Sequence, residues 1–254
     1  AFVLSQRLKG HAPPATEEET GAAMDEFAVD FKGEPLKRFF LDRPVVARLL
    51  AIVVSQWIEV SARFIERLVA DRTDAILPLV NGTDPGPVER IGCGLSDRHR
   101  GGQSVYKVTF ENGAVVGYKP KDLTIDKAFA RLIGWLDENG APASAGTIEV
   151  SVRGGYGWVE WARHTPCADE AEARTFFRRS GAMLCLIRML QGNDFHHENV
   201  VAQGGCPVPI DLETIIHPRV RQVTPTIEGE ASLYKALYTL NDSVVSIGYL
   251  PNYI

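Results

Sequence analysis

With 254 residues, 45% of them apolar and 23% charged, the chain has material for a sizeable core in one large domain or two small ones. A net charge of −5 with no long basic run argues against a nucleic-acid surface as the main partner, and leaves room for a local basic groove that holds phosphates. Four cysteines, at 93, 167, 185 and 206, form no C-x-x-C and have no histidine at zinc-finger spacing; with no secretory signal, they read as reduced thiols of a cytoplasmic protein.

Residues 1–90 read as a mainly helical region. The Pro-, Thr- and Glu-rich stretch 12–20 is expected to be a solvated loop. Apolar residues at 46, 49, 50, 53, 54, 57, 60, 64 and 68 follow helical periodicity over about seven turns. Arg48, Gln56, Glu59 and Arg63 interrupt that run, so it is expected to be a core packing helix and not a membrane span. Asn81-Gly82-Thr83-Asp84-Pro85-Gly86-Pro87 breaks the pattern and marks a subdomain boundary.

Residues 91–165 switch to strands. A glycine-rich segment, Gly92 to Gly102, precedes two β-rich runs, Ser104–Phe110 and Ala114–Lys119. Asn112-Gly113 between them is a strong hairpin signal, and as a two-residue turn it places Lys119 opposite Tyr106. The segment contains no G-x-x-x-x-G-K-[ST] and no third glycine after Gly92-x-Gly94, so it is neither a P-loop nor a dinucleotide fingerprint. A glycine-rich turn, a hairpin and a strand lysine in that order match a kinase-type small lobe, where they cover a nucleotide and hold its phosphates. Asp126–Glu138 is an amphipathic helix closed by Asn139-Gly140; Phe129, Leu132, Ile133 and Leu136 are expected to pack on the hairpin. Thr147–Val152 and Tyr156–Trp161 are two further strands.

Residues 166–254 open with a long helix, Asp169–Leu190, that delivers the chain to Gly192-Asn193-Asp194-Phe195-His196-His197-Glu198-Asn199. Asn199–Ala202 and Pro207–Asp211 read as two strands around Gln203-Gly204-Gly205-Cys206. A hairpin centred on Gly205 would set Asn199 opposite Asp211, with Cβ atoms roughly 4.5–5.5 Å apart. Glu213, two residues on, would share their face. An amide and two carboxylates form a hard oxygen site suited to Mg²⁺ carrying a nucleotide. Asp194, just before the first strand, is placed to act as a base or to orient a hydroxyl. A helix, a polar loop and a metal hairpin again follow kinase order, now that of the large lobe. Beyond Glu213, 219–231 reads as loop and 232–240 as a short helix; His11, His164 and His217 read as surface or cap residues.

With these residues in place, the chain resembles the N-terminal dehydratase domain of the class II lanthipeptide synthetases. Five motifs carry the resemblance, in family order: Ser96-Asp97-Arg98-His99-Arg100-Gly101-Gly102-Gln103-Ser104-Val105, Tyr118-Lys119-Pro120-Lys121, Gly155-Tyr156-Gly157-Trp158-Val159-Glu160, Asn193-Asp194-Phe195-His196-His197-Glu198-Asn199 and Asp211-Leu212-Glu213-Thr214. The helix from Val46 through Trp57 and the stretch from Ser243 to Pro251 also fit. The resemblance implies an α+β fold with a kinase-like, lipid-kinase-related two-lobe core and an added N-terminal helical region. It implies ATP- and Mg²⁺-dependent phosphorylation of Ser and Thr in a precursor peptide bearing a leader sequence, then elimination of phosphate to leave dehydroalanine or dehydrobutyrine. Asn199, Asp211 and Glu213 would hold Mg²⁺. Lys119, Asn199 and Asp211 would hold ATP. Asp194 and His196 would serve phosphoryl transfer, and Asp97, His99 and Lys119 the elimination. A zinc cyclase domain, and an Arg and a Thr that assist phosphate departure, would follow in the full-length protein. Both ends, Ala1 and Ile254, read as cuts through a longer chain.

Two other functions use the same loop and hairpin. A phosphotransferase of the aminoglycoside kinase type would phosphorylate a small molecule and would not need Asp97-x-His99. A non-catalytic module that only holds a leader peptide would be expected to lack metal or phosphate residues.

Overall fold

The computed structural model describes residues 21, 25, 31–141, 145–216, 235–236, 239–240 and 243–250. The loops expected at 12–20 and 219–231 lie outside these residues. Of the helix expected at 232–240, residues 235–236 and 239–240 are described and are helical. The protein is α+β and divides into two compact units, 1–65 and 66–254.

In the first unit, α1 (Glu34–Asp42) carries a proline in its first turn, where the missing N–H has no helical partner to lose. Phe39 meets Phe31 edge-on at 5.2 Å, and the Arg43 guanidinium lies 4.8 Å from the Phe39 ring centre. Helix α2 (Pro44–Ala70) continues into the second unit. It forms as its periodicity requires, but the expectation of a core helix fails. Val60 and Phe64 are buried, whereas Leu49, Val53, Trp57 and Ile58 are largely exposed. By length and composition α2 could cross a bilayer. Periodicity specifies that a helix has an apolar face; it does not specify what covers that face.

The second unit is built on a five-stranded antiparallel sheet in the order β1-β2-β3-β5-β4, formed by Val88–Gly92, Tyr106–Phe110, Val115–Lys119, Tyr156–Glu160 and Val150–Arg153 respectively. Strand β1, at the edge, has no counterpart among the strands read from the sequence. The β2–β3 connection is a three-residue loop, not a two-residue turn. Gly113 takes φ 83° and donates to the Phe110 carbonyl, while Phe110 N–H donates to Ala114 O. Asn112 Oδ1 accepts from Ala114 N–H at 2.9 Å and holds the loop in that form. The register is therefore one residue off the expected one: Tyr106 pairs with Tyr118, and Lys119 pairs with Gly157 on its other side, in β5.

An ion-and-aromatic cluster ties the end of α2 and the residue that follows it to this sheet. Asp71 is buried and accepts from Arg153 Nε at 3.0 Å and Trp158 Nε1 at 2.9 Å. Arg67 donates to Tyr118 OH at 2.6 Å and stacks 3.8 Å over Tyr156. Asp71→Ala leaves a buried indole N–H and a half-buried guanidinium without their acceptor. It should lower stability by about 3 kcal/mol in urea unfolding, while Asp194→Asn changes stability far less.

Helix α3 (Thr124–Glu138) starts after Asp122, whose carboxylate accepts from Thr124 N–H at 2.7 Å. It ends at Asn139-Gly140, where Ala141 N–H closes on Leu136 O. Its apolar face does not pack on the β2–β3 hairpin as expected. Phe129 and Ile133 join a core with Met183, Ile187, Phe195, Leu212, Ile215 and Ile247. Helix α4 (Glu170–Met189) supplies Met183 and Ile187 and is capped by Asp169, which accepts from Glu172 N–H at 2.8 Å. A second small sheet follows, β6 (Val200–Gln203) with β7 (Cys206–Pro209).

Candidate functional site

The loop 192–199 is held from three sides. Gly192 sits where a Cβ would meet Ile187 Cγ2 at 2.8 Å and Phe195 Cε2 at 2.9 Å, so only glycine brings the chain off α4 this tightly. Phe195 is fully buried, and its N–H donates to Ile247 O at 2.8 Å. Asp194 stands in the left-handed region at φ 64°, a conformation that costs a non-glycine residue roughly 1–2 kcal/mol. The Asn199 amide bonds its carbonyl at 2.8 Å and so spans the loop. Because Phe195 is pinned inward, the neighbouring polar side chains are turned outward.

His196 stands beside Asp194, with Nε2 3.4 Å from Asp194 Oδ1. Its Nδ1 faces the Glu198 N–H at 3.3 Å. Nε2 also lies 3.4 Å from the Asn199 amide nitrogen, so the ring bridges Asp194 and Asn199.

The β6–β7 hairpin carries the other half. Its turn is Gly204-Gly205 alone, with Gln203 paired to Cys206 and a positive φ at Gly204, the first central residue, as a II′ turn requires. The pairing is again one residue off the expected register: Asn199 faces Ile210, whose N–H donates to Asn199 O at 2.9 Å, and not Asp211. The ladder ends at Pro209, so the period-two argument does not extend to Glu213, which lies in a turn. Glu172 at the start of α4 accepts from Gly205 N–H at 3.0 Å and anchors the hairpin tip.

Despite both register shifts, one cleft of about 680 Å³ gathers the whole set. Asp97, His99, Lys119, Asp194, His196, Asn199, Asp211 and Glu213 all line it. The loop carrying Asp97 and His99 is closed by paired backbone bonds between His99 and Gln103, both 2.9 Å, around Arg100-Gly101-Gly102. Ser96 Oγ accepts from Val105 N–H at 3.0 Å and fastens the loop's base. Leu95, Val105, Ile148, Val159, Trp161 and Ile210 give the same cleft an apolar wall.

Lys119 is buried, and its ammonium donates to the Ile210 carbonyl, joining the large sheet to the end of the hairpin. Burial pulls its pKa down, and the Asp126 carboxylate pulls it partly back. Asp126 is itself buried, with Oδ2 unpartnered; burial pushes its pKa up against the opposing pull of Lys119. Lys121 reaches Asp211 Oδ1 at 2.5 Å and Glu213 Oε2 at 2.9 Å. Burial would raise the Asp211 pKa, but the Lys121 ammonium outweighs it and holds the carboxyl below its ordinary value.

Reading the sequence residue by residue overlooked Asp126, and took Lys121 only as part of a motif. A signal for Asp126 was available: it lies three residues before Phe129 and seven before Ile133, on the buried stripe of α3.

Residues 44–254 match the family model described as a domain of unknown function, DUF4135. The chain belongs to this family. It is also 30% identical over 166 residues to the lacticin 481/lactococcin biosynthesis protein LcnDR2 of Lactococcus lactis subsp. lactis. That match covers 61% of this chain and 17% of the relative, so the chain spans a small part of that protein's length. These matches bear out the relationship to lanthipeptide synthetases carried by the five motifs.

Proposed function

We propose that this member of the DUF4135 family acts in lanthipeptide biosynthesis as a dehydratase. It phosphorylates Ser and Thr of a precursor peptide and then eliminates the phosphate. The observation that carries this reading is the single cleft in which two acidic loop residues, two histidines, an amide, two neighbouring carboxylates and a buried lysine converge from segments about a hundred residues apart. The match to a biosynthesis protein for lacticin 481 and lactococcin supports the peptide as substrate. The order of the two halves along the chain supports a kinase-like, two-lobe arrangement.

The donor set fits a nucleotide and a divalent cation. Asn199, Asp211 and Glu213 offer hard oxygens on the cleft wall, and the apolar stretch from Leu95 to Ile210 suits a base. Among the described residues no three His, Cys, Asp or Glu side chains form a metal cluster by themselves, so the Asn199 amide is part of the proposed set. Mg²⁺ and ATP, when bound, would supply the phosphoryl group and neutralise its charge.

In the first half-reaction, Asp194 would take or orient the proton of the peptide hydroxyl as its oxygen bonds to the γ-phosphorus of ATP and the bond from that phosphorus to ADP breaks. His196 stands beside that carboxylate and positions it, and Lys119 faces the phosphate oxygens. In the second, a base withdraws the Cα proton, the Cβ–O bond breaks with its electron pair leaving on phosphate, and the Cα–Cβ double bond forms. Asp97 and His99 serve this step, with Lys119 neutralising the departing phosphate.

The two halves separate in one experiment. His99→Ala, assayed with a precursor peptide by mass spectrometry, should still phosphorylate and should accumulate phosphopeptide, its elimination slowed about 10²-fold or more. Fully dehydrated product from that variant, with no phosphopeptide at any time, would remove His99 from the elimination step.

A further inference from the structure

Lys121 occupies a position that no step above uses. Its ammonium sits between the Asp211 and Glu213 carboxylates, at 2.5 and 2.9 Å, and these are the two charged members of the proposed metal set. The arrangement is local and rigid on the acid side, since Glu213 N–H also reaches Asp211 Oδ1 at 3.4 Å. On the lysine side, Pro120 stiffens the backbone only, and a four-carbon stem lets the head group move. The lysine and Asp211 are each about a quarter to a third exposed, so their attraction is screened less than that of a surface pair.

We propose that Lys121 is a built-in cation that competes with a divalent metal for Asp211 and Glu213. This rests on the reading of Asp211 and Glu213 as metal ligands. The Asp211 and Glu213 oxygens cannot serve an ammonium and a divalent ion at full strength together, because the two cations would be held a few ångströms apart. Metal entry therefore requires the lysine to withdraw. Space for it lies in an adjoining cavity of about 500 Å³ that Lys121 lines together with Arg100 and Lys119. Asp122, Asp211 and Glu213 line it too, so the three basic groups are left to a polyphosphate or a phosphorylated side chain only when a metal holds Asp211 and Glu213. The phosphate that draws Lys121 away frees the acid pair for metal, so metal and phosphate ligand bind with positive coupling. Without a phosphate ligand, the lysine cancels one of the acid pair's two charges and leaves the metal weakly held.

The test is Mn²⁺ binding to the full chain without nucleotide, read from the electron paramagnetic resonance signal of free Mn²⁺, for the wild type, Lys121→Met, Lys121→Gln and Asp211→Asn. Both Lys121 variants should bind Mn²⁺ about tenfold tighter than the wild type or more, and Asp211→Asn should bind far more weakly. Thermal unfolding gives a second readout. The Lys121 variants should melt lower than the wild type without metal, and Mn²⁺ should raise their Tm by more than it raises that of the wild type. Mn²⁺ affinity in both Lys121 variants equal to or below the wild type, with binding lost in Asp211→Asn, would overturn the competition and leave the metal site standing. Mn²⁺ binding unaffected by Asp211→Asn, or absent throughout, would overturn the metal site and the competition together.

Discussion

Asp194→Asn should reduce phosphoryl transfer to a precursor peptide by about 10²–10⁴ in the full-length protein, measured as the initial rate of phosphopeptide formation. Asparagine is the informative substitution. Residue 194 holds φ 64°, which Asn tolerates and Ala does not, so the backbone stays in place while the carboxylate charge is lost. The side chain is largely exposed, and among the described residues its carboxylate meets His196 Nε2 at 3.4 Å, so the loss is chemical and not structural. The loop is held by Phe195, by the Asn199 amide and by Gly192, none of which depends on the Asp194 carboxylate. Asp211→Asn should be as severe for transfer but should also lower the Tm, because Lys121 loses a partner there. A phosphorylation rate within a few-fold of wild type in Asp194→Asn would sink the assignment of this loop.

Lys119→Met should be the variant that damages both halves, lowering phosphorylation and elimination each by about 10²–10³. The lysine is the buried cation on the cleft wall, and methionine keeps its length without its charge. Its protonation gives a second check. Burial lowers the Lys119 pKa below 10.5, with Asp126 opposing. As pH rises through that lowered value the ammonium neutralises, so both activities should fall at a pH where an exposed lysine would still be charged. The sign for stability is opposite. Between the folded pKa and 10.5 the unfolded chain binds the proton that the folded chain has lost, so stability rises with pH across that window. Below it the cost of burying the charge is fully present. Lys119→Met should remove this rise from the pH dependence of unfolding. If the alkaline limb of activity is the same in an Asp126→Asn variant, in which the opposing carboxylate is gone, Lys119 is not the group that titrates.

Much of the site was legible because its residues sit in short, ordered clusters. Asp194, His196 and Asn199 share one loop, Asp211 and Glu213 follow one strand, and Lys119 closes another. The elements that carry them were legible too, since α3 and α4 end in an αL glycine or begin at a capping aspartate. The registers were not. A hairpin's register hangs on one loop residue, and in both hairpins the turn differs by one residue from the reading of its glycine. Gly113 takes the αL position of a three-residue loop, and Gly204 opens a two-residue one. Each shift changes every opposed pair. Asn199 nevertheless reaches the cleft with Asp211, because both lie at the hairpin's open end, outside its last paired residues.

Sequence alone determined which chemical groups the chain possesses and in what order: a cation, an acid and histidine loop, an amide, and a pair of carboxylates. It also determined the apolar periodicity of α2 and α3, because spacing is a property of the chain. Only the tertiary structure decided that α3 packs on α4 and the 192–199 loop instead of the hairpin, and that α2 shows most of its apolar side chains to solvent. Only the tertiary structure brought Lys121 onto Asp211 and Glu213 across 90 and 92 positions, and buried Asp126 near Lys119. The reason is physical: a charge in a sequence has no partner until folding fixes distance and removes water. Distance and burial, not residue type, set what these groups attract and which form they hold.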